Sequence, residues 1–170
     1  MKKSFTLIEL IVVISISIIF LGLVLPRYND YSGQLKLRNE AKKLIDVLEL
    51  AKKKALSADL IPTPGAPKTF CTDFTGYQIT LSPPGSYSLK YCCDSVCTTN
   101  INTYTLNTNN TIVSPASSTN LIFTPLMSGV NLTVGSIRLK NSAISGTNQC
   151  IDISVSPIGI VELNETLVGC

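Results

Sequence analysis

The sequence predicts an α+β protein in which one long N-terminal α-helix packs on a C-terminal domain of antiparallel β-strands. Residues 10–25 are almost entirely apolar, and residues 37–55 repeat apolar side chains at the period of a helix. From residue 77 onward, short runs rich in β-branched and aromatic residues alternate with turn residues, which is typical of strands. A chain of 170 residues has room for this helix and one modest domain.

The apolar segment that follows Lys2 and Lys3 is long enough to cross a membrane as a helix. About twenty residues at a rise of about 1.5 Å match the roughly 30 Å hydrocarbon core of a bilayer. Preceding lysines favour a cytoplasmic amino terminus, and no typical signal-peptidase site follows the segment. We therefore predict a transmembrane helix over residues 5–26 of a single-pass protein in the inner (cytoplasmic) membrane, with its C-terminal domain periplasmic or extracellular.

Glu9 is an ionisable residue inside this apolar segment. A charged carboxylate costs about 2.5–3.5 kcal/mol at the centre of a membrane and less near its surface. This cost predicts a charged partner for Glu9.

The run Ser4-Phe5-Thr6-Leu7-Ile8-Glu9 resembles the amino-terminal motif of the type IV prepilin family, in which a small residue, usually Gly, precedes Phe-Thr-Leu-Ile-Glu. The resemblance implies that residues 1–4 are a cytoplasmic leader, which a membrane-embedded prepilin peptidase removes by cutting between Ser4 and Phe5. It also implies that the same enzyme methylates the new amino group of Phe5. In that family, Glu9 of a neighbouring subunit neutralises this ammonium and sets the axial register, because a paired charge is tolerable in low dielectric.

Residues 27–60 are predicted to form an amphipathic helix. Its apolar stripe consists of side chains alternately four and three positions apart, namely Leu37, Ala41, Leu44, Leu48, Ala51 and Ala55. Such a stripe is stabilised by tertiary burial, so we expect a sheet to pack on it. If the helix continues through Pro26 with a kink, residues 5–58 form a rod of roughly 80 Å. Gly22, Pro26 and Gly33 are the weak points of this rod.

Residues 61–170 are predicted to form a disulfide-containing, β-rich head, because three prolines at positions 62, 64 and 67 end the helix. The predicted strands are 77–81, 86–91, 104–106, 111–113, 121–123, 135–140, 150–155 and 159–163. A four-residue connection over 156–159 predicts a hairpin, and the Thr- and Asn-rich residues 98–110 are interpreted as an exposed loop or weak edge strand.

The head is similar to the H-type minor pseudopilins of the same family. The similarity rests on Phe123-Thr124-Pro125, on Gly129, on the strand 136–140 and on the final hairpin with its Ser-Pro-x-Gly turn. This chain has Ile160 where that group often has Arg, and its cysteines are additional. The resemblance implies the pilin fold.

All six cysteines lie beyond the apolar segment, and an even number in an extracytoplasmic domain predicts disulfides. The candidates are Cys71, Cys92, Cys93, Cys97, Cys150 and Cys170. Their spacing leaves 15 connectivities open, and a thiolate metal site or redox activity is the less favoured alternative. We expect the adjacent Cys92 and Cys93 to bond different partners, and Cys170 to hold the C-terminal tail to the domain.

Several classes of function are disfavoured by composition. The chain has no histidine, which excludes Ser-His-Asp and Cys-His nucleophilic sites and most zinc sites with nitrogen ligands. Asp73, Asp94 and Asp152 are too scattered for a calcium loop, and Glu162 and Glu165 are interpreted as solvated. We therefore predict no catalytic residues, no metal and no cofactor.

These observations together predict a structural subunit of a type IV pilus-like filament, either a minor pseudopilin of a type II secretion system or a minor type IV pilin. The expected partners are other pilins or pseudopilins, the prepilin peptidase and methyltransferase, an inner-membrane assembly platform and membrane lipid. The alternatives are a major pilin with an adhesive head and a competence-type DNA-binding minor pilin. Nucleic acid is an unlikely partner, since four basic residues oppose five acidic ones from residue 60 onward.

Overall fold

The computed structural model describes residues 6–58, 73–94, 96–125, 130–132 and 135–170, and among these the side chains of 23–27, 98–99 and 131–132 are not described. Within these ranges the chain has one helix, α1 Leu7–Leu56, followed by nine strands. The strands are β1 Phe74–Ser82, β2 Ser86–Cys93, β3 Val96–Thr105, β4 Asn110–Ser114, β5 Thr119–Phe123, β6 Val130–Leu132, β7 Ser136–Asn141, β8 Cys150–Val155 and β9 Val161–Val168. The predicted α+β class is confirmed.

Helix α1 is 50 residues long and continues through Pro26. Its last turn closes with the Ser57 N–H donating to the carbonyl of Lys53 at 3.0 Å, and Ala58 follows in the left-handed region with φ of 48°. A left-handed residue just after a helix turns the chain away from the helix axis. The helix ends at Leu56, two residues before the predicted end of the rod at residue 58. The kink at Pro26 stays a prediction.

The C-terminal half of α1 is held by its predicted apolar stripe. All six stripe residues are at most 1% exposed, and they belong to one core with apolar side chains from both sheets. From the strands this core receives Tyr77, Ile79, Leu81, Leu121, Phe123, Ile137, Leu139, Ile151 and Ile153. Removal of these side chains from water stabilises the domain by about 25 cal/mol per Å² of apolar surface.

The strands form two antiparallel sheets. Sheet A has five strands in the order β3-β2-β1-β5-β6, and sheet B has four in the order β4-β7-β8-β9. Every neighbouring pair in both sheets is antiparallel. Strands β1, β5, β7, β8 and β9 contact α1, so the helix lies across both sheets.

Three strands differ from the sequence prediction. The Thr- and Asn-rich segment contributes to a ten-residue strand, β3, at the end of sheet A, which agrees with the edge-strand alternative, and its pairing with β2 has two register shifts. Strand β6 was not predicted, because its three residues are too few for an alternating pattern. Strand β9 extends to Val168, five residues beyond its predicted end. Its first residues follow the predicted hairpin turn, in which the Gly159 N–H donates to the Ser156 carbonyl.

The cysteines pair as disulfides wherever the structure describes them. Cys92 is bonded to Cys97 and Cys150 to Cys170, and Cys93 is also disulfide-bonded. The predictions that Cys92 and Cys93 have different partners and that Cys170 anchors the tail are therefore confirmed. Cys71 lies outside the described residues. Because a bonded cysteine has no thiolate, these five cannot be metal ligands.

The prediction of a single-pass protein in the inner membrane is wrong. No helix in the described part of the chain is both long enough and apolar enough to cross a membrane.

The tail bridge is expected to make a large contribution to stability. Cys150 and Cys170 are 20 residues apart, and closure of a loop of that length stabilises a fold by about 3 kcal/mol in the chain-entropy account. We expect the double variant Cys150→Ala/Cys170→Ala to lose about that much free energy of unfolding. Urea denaturation followed by circular dichroism measures it. Cys170→Ala alone should lose a similar amount, and an unchanged denaturation midpoint in both variants would contradict the prediction.

Candidate assembly surface

The N-terminal half of α1 exposes apolar side chains in every direction. Twelve large hydrophobic residues between Leu7 and Leu21 are about half exposed or more, from 49% at Ile16 to 76% at Leu7. A helix that is apolar on all sides is normally buried, and an exposed apolar patch of this size marks an interaction site. We call residues 7–21 the apolar half of α1. Its surface needs a covering partner.

Two serines inside the apolar half form hydrogen bonds to backbone carbonyls of their own helix. The Ser15 hydroxyl donates to the carbonyl of Ile11 at 2.8 Å, and the Ser17 hydroxyl donates to the carbonyl of Val13 at 2.8 Å. Because both hydroxyls are satisfied within the helix, they do not require water or a polar partner. The apolar half can therefore be covered by another apolar surface without loss of these hydrogen bonds.

Glu9 and Thr6 form a capping box at the start of the helix. One carboxylate oxygen of Glu9, Oε2, accepts from the Thr6 backbone N–H at 2.9 Å and from the Thr6 hydroxyl at 2.7 Å. The Thr6 hydroxyl oxygen in turn accepts from the Glu9 N–H at 3.4 Å. This exchange satisfies backbone donors that would otherwise be orphaned at the helix start.

The capping box changes the interpretation of Glu9. Glu9 was predicted to need a charged partner, yet within the described residues its carboxylate is already hydrogen-bonded inside its own helix turn. No hydrogen bond from a described residue reaches the second oxygen, Oε1, which stays available to a neighbouring chain. The sequence contains the signal for this arrangement, since Thr6-Leu7-Ile8-Glu9 has the Thr-x-x-Glu spacing of a capping box.

The hydrogen bonds between the head and α1 begin at Asp30 and Gly33. The Ser145 N–H donates to Oδ1 of Asp30 at 2.8 Å, and the side-chain amide of Asn141 donates to the carbonyl of Gly33 at 3.3 Å. Asn141 is fully buried. Its side-chain amide also donates to Oδ1 of Asn110 at 2.7 Å. These contacts mark where the covered half of α1 begins.

The predicted site residues occupy different parts of the molecule. Ser4 and Phe5 lie outside the described residues, while Glu9 stands at the first turn of the apolar half and Pro26 lies within α1. The described disulfides are all in the β-rich head. The structure thus places Glu9 next to an uncovered apolar surface.

Comparison of the chain with protein-family models, with curated proteins and with solved structures gave no significant match.

The contact at Gly33 leaves no room for a side chain. A Cβ atom there would lie 2.9 Å from Cγ1 of Ile144, whereas a Cβ at Gly22 would meet no atom within 4 Å. We expect Gly33→Val to cost about 1–3 kcal/mol through overpacking. Gly22→Val is the matched control and should not lower stability. Urea denaturation measures both, and equal midpoints for the two variants would refute this account of the junction.

Proposed function

We propose that the chain is a structural subunit of a type IV pilus-like filament, with the pilin fold and a structural rather than catalytic role. The observation that carries the proposal is the apolar half of α1, which projects from a head that is folded only on the other half of the helix. In a filament, the apolar half of α1 packs with the corresponding helices of other pilin subunits in a central bundle. The heads then face outward.

The driving force for this assembly is hydrophobic. Complete burial of one large apolar side chain is worth about 1.5–3 kcal/mol, and twelve such side chains are exposed between Leu7 and Leu21. Burial of this set is of the same order as, or larger than, the cost of immobilising one more subunit, which is about 4–15 kcal/mol. Because the two serines in this half are satisfied internally, their burial carries no polar penalty.

Glu9 provides specificity within such a bundle. Cleavage between Ser4 and Phe5 would create an ammonium next to the Thr6 cap, and a Glu9 Oε1 from a neighbouring copy would be free to accept it. An unpaired charge in the apolar bundle is costly, whereas a paired one is tolerated. Subunits therefore fit best at the axial offset that brings these two groups together.

Assignment to the minor subunits rests on the similarity of the head to the H-type minor pseudopilins. The final hairpin supports it, since β8 and β9 are joined by the predicted Ser-Pro-x-Gly turn. On this proposal the chain is a minor pseudopilin of a type II secretion system or a minor type IV pilin.

Mass spectrometry of the protein from its own host tests the proposal directly. We expect a mature chain that begins at N-methylated Phe5 and sediments with filaments sheared from the cells. A chain that still begins at Met1, in a host with an active prepilin peptidase, would overturn the proposal.

A variant of Glu9 tests the role of the charge. Glu9→Gln keeps the size of the side chain but removes its negative charge, and loss of a partner for a buried charge costs about 3–5 kcal/mol. We expect at least about tenfold fewer assembled subunits with an unchanged head. Glu49→Gln is the matched control, because Glu49 is an exposed acid on the covered half of the same helix. Equal assembly of the Glu9 and Glu49 variants would contradict the assigned role.

A further inference from the structure

Strand β9 departs from a regular ladder after Asn164. Its residues 165–167 lie between two paired positions, whereas β8 has only Ile151 between the same two partners. The surplus forms a bulge in a strand that ends sheet B among the described strands. Residues 164–166 are all exposed, which interrupts the alternation of the strand. This part of the terminal strand is therefore open to an incoming molecule.

The bulge carries an acceptor sequence for sugar. Asn164-Glu165-Thr166 has the form Asn-x-Thr with a middle residue other than proline, which is the acceptor sequence for N-linked glycosylation. The pattern alone is a weak signal, because the chain contains it three times, at Asn109, Asn131 and Asn164. Its use requires an exposed segment in which the asparagine amide and the Thr hydroxyl are both accessible.

The structure distinguishes Asn164 from Asn109. Asn109 lies in the short turn between β3 and β4, but the next residue, Asn110, is 2% exposed. Thr111 is already paired within the ladder of β4 and β7. A transferase that binds three consecutive residues therefore finds the second one buried and the third one paired at this site, whereas all three are exposed at Asn164. The side chain of Asn131 is not among those described.

The side chain of Asn164 is held by its own acceptor sequence. Its oxygen Oδ1 accepts from the Thr166 backbone N–H at 3.2 Å, which forms an Asx turn. Hydrogen bonding to the oxygen polarises the carboxamide and makes its N–H protons more acidic. No described residue accepts a hydrogen bond from Nδ2 of Asn164, and none bonds the Thr166 hydroxyl. The amide nitrogen and the hydroxyl are thus both accessible to a transferase.

Asn164 lies on the outer face of sheet B. Val161 and Leu163 pack against the core, so the alternation of the strand before the bulge puts its other side chains, Glu162 and Asn164, on the face away from α1. A chain of sugars attached here meets neither the helix nor the core. The exposed Glu162 forms no ion pair with a described residue. Its carboxylate, two positions before Asn164, is therefore available to a basic group of the transferase.

The disulfides indicate a suitable compartment. Every cysteine that the structure describes is disulfide-bonded. Disulfides persist in oxidising compartments, and Asn-x-Thr acceptors are used on the surfaces of secreted proteins. The chemical environment of the head therefore agrees with the one in which N-linked sugars are attached.

We propose that Asn164 is a site of N-linked glycosylation, with an oligosaccharide on a lipid pyrophosphate as the donor. Nδ2 of Asn164 attacks C1 of the first sugar and forms the N–C bond, while the bond between C1 and the pyrophosphate oxygen breaks. The lipid pyrophosphate leaves with that electron pair, and one Nδ2 proton passes to a base of the transferase. This inference goes beyond the proposed function and does not depend on it.

A sugar at this position shields the edge of sheet B. An exposed edge strand can pair with a strand of another chain unless a bulge or a cover prevents it. Strand β9 has the bulge, and a bulky, hydrophilic oligosaccharide beside it adds the cover. The modification therefore opposes the addition of further chains to this edge, which agrees with the minor role proposed above.

Glycopeptide mass spectrometry of the full-length chain, purified from its own host, tests the proposal. Trypsin cuts after Lys140, and the resulting peptide 141–170 holds Asn164 but neither of the other two acceptor sequences. We expect this peptide, after reduction, to carry the mass of an oligosaccharide, with the first sugar on Asn164 in the fragment spectra. A peptide without added mass, or with the sugar on another residue, would overturn the proposal. Either result leaves the filament proposal intact, because the amino-terminal peptide decides that separately.

Variants of the acceptor sequence make the test specific. Asn164→Gln displaces the amide by one methylene and should abolish the added mass. Thr166→Val replaces the hydroxyl by a methyl group and should lower the glycosylated fraction at least about tenfold, as expected for the loss of one hydrogen bond in the transition state. Thr166→Ser should retain the modification, and Asn109→Gln is the matched control that should change nothing. Circular dichroism verifies that each variant is folded, and equal glycosylated fractions in Thr166→Val and Thr166→Ser would overturn the proposal.

The carboxylate before the acceptor is tested in the same way. Glu162→Gln removes the negative charge and should lower the glycosylated fraction about tenfold. Glu162→Asp keeps the charge and should retain most of the modification. Equal fractions in these two variants would overturn the role assigned to Glu162.

Discussion

Burial of the apolar stripe of α1 between two sheets is the interaction on which the rest of the structure depends. The six stripe residues are essentially inaccessible to water, and side chains of both sheets meet on them. The apolar face of each sheet is removed from water by packing on this helix, which contributes about 25 cal/mol per Å² of apolar surface buried. The helix therefore joins sheets A and B into one domain, and the two sheets together stabilise the C-terminal half of the helix.

The same helix has a second half that the head does not cover. The boundary lies near Asp30 and Gly33, where Asn141 at the end of β7 and Ile144 and Ser145 in the loop after it contact the helix. In the half of α1 that the head covers, the apolar residues form a stripe along one face. In the uncovered half they lie on all faces of the helix. This change of pattern divides α1 into a part that stabilises the fold and a part that is available for assembly.

Glu9 connects the local chemistry of the helix start to this assembly. Its hydrogen bonds with Thr6 begin the helix, and among the described residues only Oε2 takes part in them. A single carboxylate can therefore cap its own helix and still accept a cation from a neighbour. The motif that resembles the prepilin family thus has a structural explanation in the monomer, beside the role in register that we propose for it.

The sequence by itself determined the features that depend on local pattern. The stripe from Leu37 to Ala55, the hairpin turn before β9 and the strands with alternating apolar residues were predicted correctly, because 3.6-residue and two-residue periods follow from backbone geometry. Tertiary structure decided the order of strands in each sheet, the pairing of Cys92 with Cys97 and the position of β3 at an open edge. The strand order depends on contacts between residues that are distant in the sequence. The Cys92–Cys97 bridge joins residues only five positions apart, but it depends on the turn of β2 into β3. A neutral Thr- and Asn-rich segment is compatible with a loop or with a strand until its partner strand is known. The capping box of Glu9 is also local, since the Thr-x-x-Glu spacing predicts it, whereas the predicted membrane span was wrong, because no helix in the described part of the chain is long and apolar enough to cross a membrane.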